Sequence, residues 1–245
     1  MQDNFESGNY ILTDGQTSPN GLWKCQYAGY GQTGVRAITA PGNGRSGNVQ
    51  FLNPQVNLNG TSAALVLTTE SFGNFGGTFY MRTVSQHHAG TNIPAENWET
   101  AWLMFRYVDN THHYYFYIQR NGTIEIGGKD YIKVGNDRIQ TPDGVIHNVG
   151  VGNQDRQFFL DTSTNVGDSN ILGKWYKIRL EIIGNKIKWW VNDVFKKEIF
   201  DNGSTGTWLN QPKTFTPSSQ MSNGKFGKYC EDALCEFDND ITAPK

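Results

Sequence analysis

The sequence predicts an all-β protein on three observations. Strand-like stretches recur about every ten to fifteen residues, each closed by Gly, Asn or Asp. The 245-residue chain is rich in Gly (28) and aromatics (7 Trp, 11 Tyr, 14 Phe) and only 18% charged, which opposes a helical bundle. No window keeps a helical period, and Ala101-Trp102-Leu103-Met104-Phe105 reads as a strand covered on both faces. With no linker-like stretch, the expectation is one domain over 1–245. A formal net charge of −2 gives no global field to attract nucleic acid or an anionic membrane. No apolar run approaches the roughly 20 residues of a membrane span.

In chain order the pattern places strands near 21–30, 34–39, 63–69, 77–84, 99–107, 113–119, 123–126, 157–161, 174–183, 186–191, 194–199, 207–210 and 233–241. The Gly/Asn-rich stretch 40–60 and the segment 127–155 are left as long loops, and Lys129-Asp130 as a solvated loop pair. Two hairpins are legible in detail. Ile178, Leu180 and Ile182 alternate with Lys177, Arg179 and Glu181, and Gly184-Asn185 turns the chain so that Ile187, Trp189 and Val191 share the apolar face. In the second, a three-residue loop Arg120-Asn121-Gly122 with Gly122 left-handed pairs Ile118 with Ile124 and Phe116 with Ile126. That register makes Tyr117 and Glu125 cross-strand neighbours on the opposite face. Trp23, Trp175 and Trp189 read as core, whereas Trp190 and Trp208 are candidates for exposure.

The same alternation defines a candidate ligand surface. With Phe79 and Met81 inward, Tyr80 and Arg82 point out; with Ala101, Leu103 and Phe105 inward, Trp102, Met104 and Arg106 point out. Tyr115, Tyr117, Gln119 and Glu125 are expected beside them, with His88 from a nearby loop. Aromatic rings stack on the apolar faces of sugars and Arg forks onto carboxylates or sulfates, so the surface suits an acidic or neutral polysaccharide. Hydrolysis by the usual route needs two carboxyls, and Glu125 is the first of them. Glu99 is the expected partner, with Glu70 an alternative, although strict alternation turns Glu99 inward unless its strand begins with a bulge. β-Elimination would need a cation, a base and an acid, for which Arg82 or Arg106, His87 or His88, and Tyr115 or Tyr117 are the right types. Three cysteines, Cys25, Cys230 and Cys235, allow a disulfide across the close pair Cys230 and Cys235 or three buried thiols.

Several segments resemble the concanavalin A-like jelly rolls. They are Gly173-Lys174-Trp175 with its alternating strand, Gly184-Asn185, Trp190-Val191-Asn192-Asp193 and Asp201, and the closing Asn223-Gly224-Lys225-Phe226-Gly227 with Glu236-Phe237-Asp238-Asn239. Trp98-Glu99-x-x-Trp102 and Phe105-Arg106-Tyr107 fit the central strands of the same group. The resemblance covers most of 60–241 and implies a two-sheet antiparallel β-sandwich. It implies a glycan ligand on a concave sheet and a structural Ca²⁺ held by Glu6 and Asp238 near the two chain ends. Glu236, Asp238 and Asp240 partly imitate the catalytic run of laminarinase-type hydrolases, but end in Asp where those have Glu. The function implied is that of a polysaccharide-active protein, first an endo-acting glycoside hydrolase. A carbohydrate-binding module or surface interaction domain and a uronate-directed polysaccharide lyase are the alternatives. The start, Met1-Gln2-Asp3-Asn4-Phe5-Glu6, lacks the marks of a signal peptide, which fits a cytosolic protein or a mature end, and the resemblance favours the cell surface or exterior.

Overall fold

The computed structural model describes residues 1–6, 8–42, 45–149 and 156–244. Its strands are β1 (Gln2–Asp3), β2 (Tyr10–Leu12), β3 (Trp23–Tyr27), β4 (Gln32–Gly42), β5 (Arg45–Asn53), β6 (Ala63–Phe72), β7 (Phe75–Gln86), β8 (Ala101–Asp109), β9 (His112–Ile118), β10 (Thr123–Asp130), β11 (Ile132–Gly135), β12 (Arg138–Gln140), β13 (Ile146–Asn148), β14 (Phe158–Asn165), β15 (Tyr176–Ile183), β16 (Lys186–Val191), β17 (Val194–Phe200), β18 (Thr207–Trp208), β19 (Gln211–Pro212), β20 (Gly224–Glu231) and β21 (Ala233–Pro244). A single 3₁₀ turn, Ser219–Ser222, is the helical element among the described residues, so no described helix is long enough to cross a membrane.

Two large antiparallel sheets face each other. One runs β17-β16-β15-β7-β21-β5-β4-β2, with β1 pairing β21, so that the two ends of the chain lie side by side. The other runs β19-β18-β14-β10-β9-β8-β20-β6-β3. A small third sheet, β11-β12-β13, occupies part of the segment expected to be loop, and β5 lies within the other expected loop. Neither shows a clean apolar alternation, and each is fixed by ladder bonds to its neighbours rather than by its own pattern.

Both hairpin registers hold. Ile118 opposes Ile124, Tyr117 opposes Glu125 and Phe116 opposes Ile126. Gly122 takes φ +86°, and a Cβ there would stand 1.9 Å from the Asp168 carbonyl, so the turn needs glycine. Leu180 opposes Trp189 and Ile182 opposes Ile187, all buried between the sheets. The centre of that core is aromatic: Phe79 and Phe226 stack at 4.3 Å, and Phe105 lies parallel to Tyr114 at 5.3 Å. Trp208, a candidate for exposure, is buried against Phe215.

The second sheet carries apolar and aromatic side chains on both faces. Leu65, Leu67, Trp102, Met104, Tyr107, Tyr115 and Tyr117 form a separate cluster on its far side. Cys230 and Cys235 form a disulfide across the β20–β21 turn, and Cys25 is a buried free thiol.

Candidate functional site

The far face of the second sheet forms the floor of a cleft of about 720 Å³. Ladder pairing lines up Glu125, Tyr117, Trp102 and Tyr229 across β10, β9, β8 and β20, and continues through Leu65 to Tyr27 on β6 and β3. One step along the strands, a second row carries Gly127, Tyr115, Met104 and Gly227. Gly127 is demanded by close approach, because a Cβ there would come within 2.5 Å of the Tyr115 hydroxyl. A third step brings Lys129 opposite His113.

Ring geometry decides what a ligand would meet. Trp102 and Tyr117 stack face to face at 3.9 Å, so each ring covers the other, and Tyr115 packs against both. These three form a buried floor. The half-buried aromatics of the walls are instead Trp98, Tyr27, Phe159 and Tyr229, with Arg156 and Gln157 beside Phe159. Trp102 and Tyr117, expected to stack on a sugar, thus have ring faces covered by each other.

Two carboxyls line the cleft among the described residues, Glu125 and Glu231. Glu125 accepts from the Tyr115 hydroxyl at 3.1 Å and from Gln119 Nε2 at 3.0 Å. Burial still holds its carboxyl above the ordinary value, although Tyr117, Tyr115 and Gln119 pull it down. Glu231 accepts from the Tyr229 hydroxyl at 2.5 Å. Burial raises it too, with Tyr229 and Lys129 opposing the rise. His113 stacks on Tyr107 and bonds the Asp109 carbonyl through Nδ1 at 2.9 Å. Burial, aided by Lys129, lowers its pKa to about 3, so the ring is neutral at physiological pH.

The structure thus brings together Trp102, Tyr115, Tyr117, Gln119 and Glu125 from the expected surface. Other expected members stand elsewhere. Tyr80 and Arg82 do point outward from β7, but β7 belongs to the first sheet, so their outer face is on the opposite side of the molecule. There Arg82 Nε bonds Glu236 Oε2 at 2.8 Å and the guanidinium lies over Trp175.

Arg106 is diverted by a bulge. The β8–β9 register breaks between Phe105 and Asp109, Arg106 takes φ +48°, and its Nε donates to the Gly73 carbonyl at 3.1 Å. Tyr107 takes its place on the cleft side.

His88 and Glu99 meet each other rather than the cleft, His88 Nδ1 lying 2.7 Å from Glu99 Oε1. Glu99 is therefore no partner for Glu125.

Glu6 accepts from the Asn48 amide at 3.1 Å, while Asp238 is buried in β21. The two do not appear in a group of three metal-type ligands among the described residues; that arrangement is found only for His88, Glu99 and Asp232. The N-terminal strand is tied by Asp3 instead, whose carboxylate accepts from the Phe5 amide, Asn20 and the Trp23 indole. In the closing run, Glu236 holds Arg36 and Arg82 on the outer face of the first sheet, and the Asp240 side chain lies outside the described residues.

Sequence reasoning missed Lys129, taken for a solvated loop residue, although continuing the alternation from Glu125 through Gly127 reaches it. Its neighbour Asp130 is buried and accepts from the amide and hydroxyl of Ser218. His113 follows likewise from Tyr115. Tyr229 and Glu231 lie on β20, whose Gly-Lys-Phe-Gly-Lys opening gives little strand signal; no local pattern marks Arg156, and Trp98 entered only through the Trp98-Glu99-x-x-Trp102 resemblance, not as a cleft residue.

A twisted, two-sheet, all-β sandwich with a cleft across one face is the architecture of the concanavalin A-like jelly rolls, and this chain has that fold. Among solved structures it resembles a family 16 glycoside hydrolase of the Bacteroides ovatus mixed-linkage glucan locus in complex with a G4G4G3G product. The TM-score is 0.50 and the identity 8%, over 99% of each chain. A family 16 endo-glucanase from Bacteroides ovatus in complex with G4G3G-2F-DNP gives the same values, a TM-score of 0.50 and 8% identity over 99% of each chain. The carbohydrate-binding module CBM66 from Bacillus subtilis aligns at a TM-score of 0.43 and 14% identity, over 94% of this chain and 96% of that one. At such identities the likeness is one of fold. No protein-family model and no curated protein matches the sequence.

Proposed function

We propose that this chain, read as one domain, binds a polysaccharide in the cleft across its second sheet. The observation that carries the reading is the composition of the cleft: aromatic walls from Trp98, Tyr27, Phe159 and Tyr229 around a polar interior of Gln119, Glu125, Lys129, Arg156 and Glu231. Sugars offer apolar ring faces and a fringe of hydroxyls, and this surface answers both. The volume falls in the range of about 300–1,000 Å³ that encloses small ligands, enough for a short stretch of a longer chain. Two solved structures at TM-score 0.50 are family 16 glycoside hydrolases in complex with a G4G4G3G product and with G4G3G-2F-DNP, which agrees with a glycan ligand on this fold.

Binding is preferred to cleavage on geometry. Glu125 and Glu231 stand on strands separated by β9 and β8, and Glu231 lies two residues beyond Tyr229, which shares Glu125's row, so at about 4.8 Å per strand and 3.4 Å per residue their backbones are about 16 Å apart. Glycosidases by the usual route hold their carboxyl groups about 5–9.5 Å apart. The Cys230–Cys235 disulfide supports an oxidising, extracellular setting for this activity.

The test is a panel of soluble polysaccharides measured by calorimetry, with reducing ends and unsaturated products followed in parallel. Saturable binding without product is expected. Trp98→Ala should weaken it by about 1–2 kcal/mol, since Trp98 is half-buried and the Trp102 indole bonds only its backbone carbonyl. Turnover abolished by Glu125→Gln would replace binding with hydrolysis. No binding across the panel, or full affinity in the Trp98 variant, would sink the reading.

A further inference from the structure

Behind one end wall of the cleft, the two ends of the β7–β8 loop and the β20–β21 turn converge on a buried trio. His88 follows β7, Glu99 precedes β8, and Asp232 sits at φ +42° in the turn enclosed by the Cys230–Cys235 disulfide. One ligand atom from each lies within 4.8 Å of the others, and all three residues are buried. We propose that His88, Glu99 and Asp232 form a binding site for a divalent transition-metal ion of the zinc class.

Three features carry this beyond a cluster of polar side chains. The first is the orientation of the imidazole. His88 Nε2 lies 3.0 Å from the carbonyl of Asn57, which can only accept, so Nε2 carries a hydrogen and donates. A ligating histidine is held in this way, its outer N–H fixed on a backbone carbonyl and its inner nitrogen turned to the ion. Here the inner nitrogen is Nδ1, facing Glu99.

The second is an unmet acceptor. Glu99 is 2% exposed and its Oε2 has no hydrogen-bond partner. A buried carboxylate oxygen left unpaired is costly, and a cation satisfies it directly. The third is the framing of Asp232. Its Oδ1 accepts from the Ser62 amide at 2.7 Å, its amide donates to the Ser62 carbonyl, and its carbonyl accepts from the His87 amide. That leaves Oδ2 for a ligand while the backbone is held on both sides.

One imidazole and two carboxylates suit zinc better than calcium, which takes six to eight oxygens. Zn–N and Zn–O bonds of about 2.1 Å set tetrahedral ligand atoms about 3.4 Å apart. The widest pair must therefore close by little more than an ångström, within reach of side-chain rotation. Solvent would complete the coordination. The site has a structural consequence for the cleft, because Trp98 and Glu231, which line it, are the chain neighbours of Glu99 and Asp232. An ion here would brace that wall.

The experiment uses the full chain, chelator-treated and then titrated with Zn²⁺ alone. Calorimetry should give one site per chain, and the melting temperature should rise with Zn²⁺ concentration. Glu99→Gln and Asp232→Asn should each weaken binding by about tenfold or more. Asp109→Asn, which removes the surface partner of His112, should leave it unchanged. If the substitutions impair folding, zinc-edge X-ray absorption on the unaltered protein decides, with a shell of about four nitrogen or oxygen ligands and the outer-shell scattering of one imidazole expected. The proposal is overturned by no saturable binding up to about 1 mM Zn²⁺, by equal affinity in both carboxylate variants, or by loss of binding in Asp109→Asn. No glycan enters the experiment, so its failure leaves the polysaccharide reading to its own test.

Discussion

Acidification should destabilise this protein through one ring in the cleft wall. His113 is buried against Tyr107, and its pKa is lowered to about 3 from the 6.5 of a free histidine. Between those values the unfolded chain takes up a proton that the folded chain refuses, so stability falls as pH drops through that window. At pH 5 the ring is one and a half pH units below its ordinary value. At about 1.36 kcal/mol per unit the loss from pH 7 is about 2 kcal/mol. For a chain of this length that corresponds to about 4–8 °C in melting temperature. The clean measurement is the difference between the unaltered protein and His113→Gln, by urea denaturation at pH 7, 6 and 5. The variant gives up the stacking and the Nδ1–H bond to the Asp109 carbonyl at every pH, but it has no proton to refuse. Its deficit should therefore shrink by about 2 kcal/mol between pH 7 and pH 5. A deficit independent of pH would refute the reasoning, as would an NMR titration showing the His113 ring protonating near 6.5.

Other outcomes follow from the same physics. Burial raises the Glu125 pKa, so the folded state holds its proton after the unfolded state has lost it, and stability falls as pH rises above the ordinary 4.5. Glu125→Gln should thus be worth more at pH 7 than at pH 4, and an equal effect at both pH values in thermal melts would contradict the burial argument. Lys213 is ion-paired to Asp201, both fully buried, and Asp201 also accepts from the Tyr114 hydroxyl at 2.9 Å. Lys213→Met strands that carboxylate and should cost about 3–5 kcal/mol in denaturant unfolding, with Asp201→Asn added to it restoring much of the loss.

Local chemistry alone determined a good part of this protein. Alternation of period two places every side chain of a strand on one face or the other, so Ile118 against Ile124 and Tyr117 against Glu125 were legible from the hairpin itself. Gly122 fixed the turn, and the turn fixed the register. The same logic put Trp102, Tyr115, Tyr117 and Glu125 on a shared face. What alternation cannot say is which sheet a strand joins. Tyr80 and Arg82 point away from the core as expected, yet β7 pairs with β15 and β21 in the first sheet, so their outward side is the far side of the molecule. Alternation also fails at a bulge, where a single left-handed residue turned Arg106 inward and Tyr107 out. Glu231, Arg156 and Trp98 reach the cleft from three separate segments, and Asp232 of the β20–β21 turn meets His88 and Glu99 at the two ends of the β7–β8 loop. Those meetings depend on strand order and loop packing, which are fixed by burial of the whole core and leave no signature in any one stretch of chain.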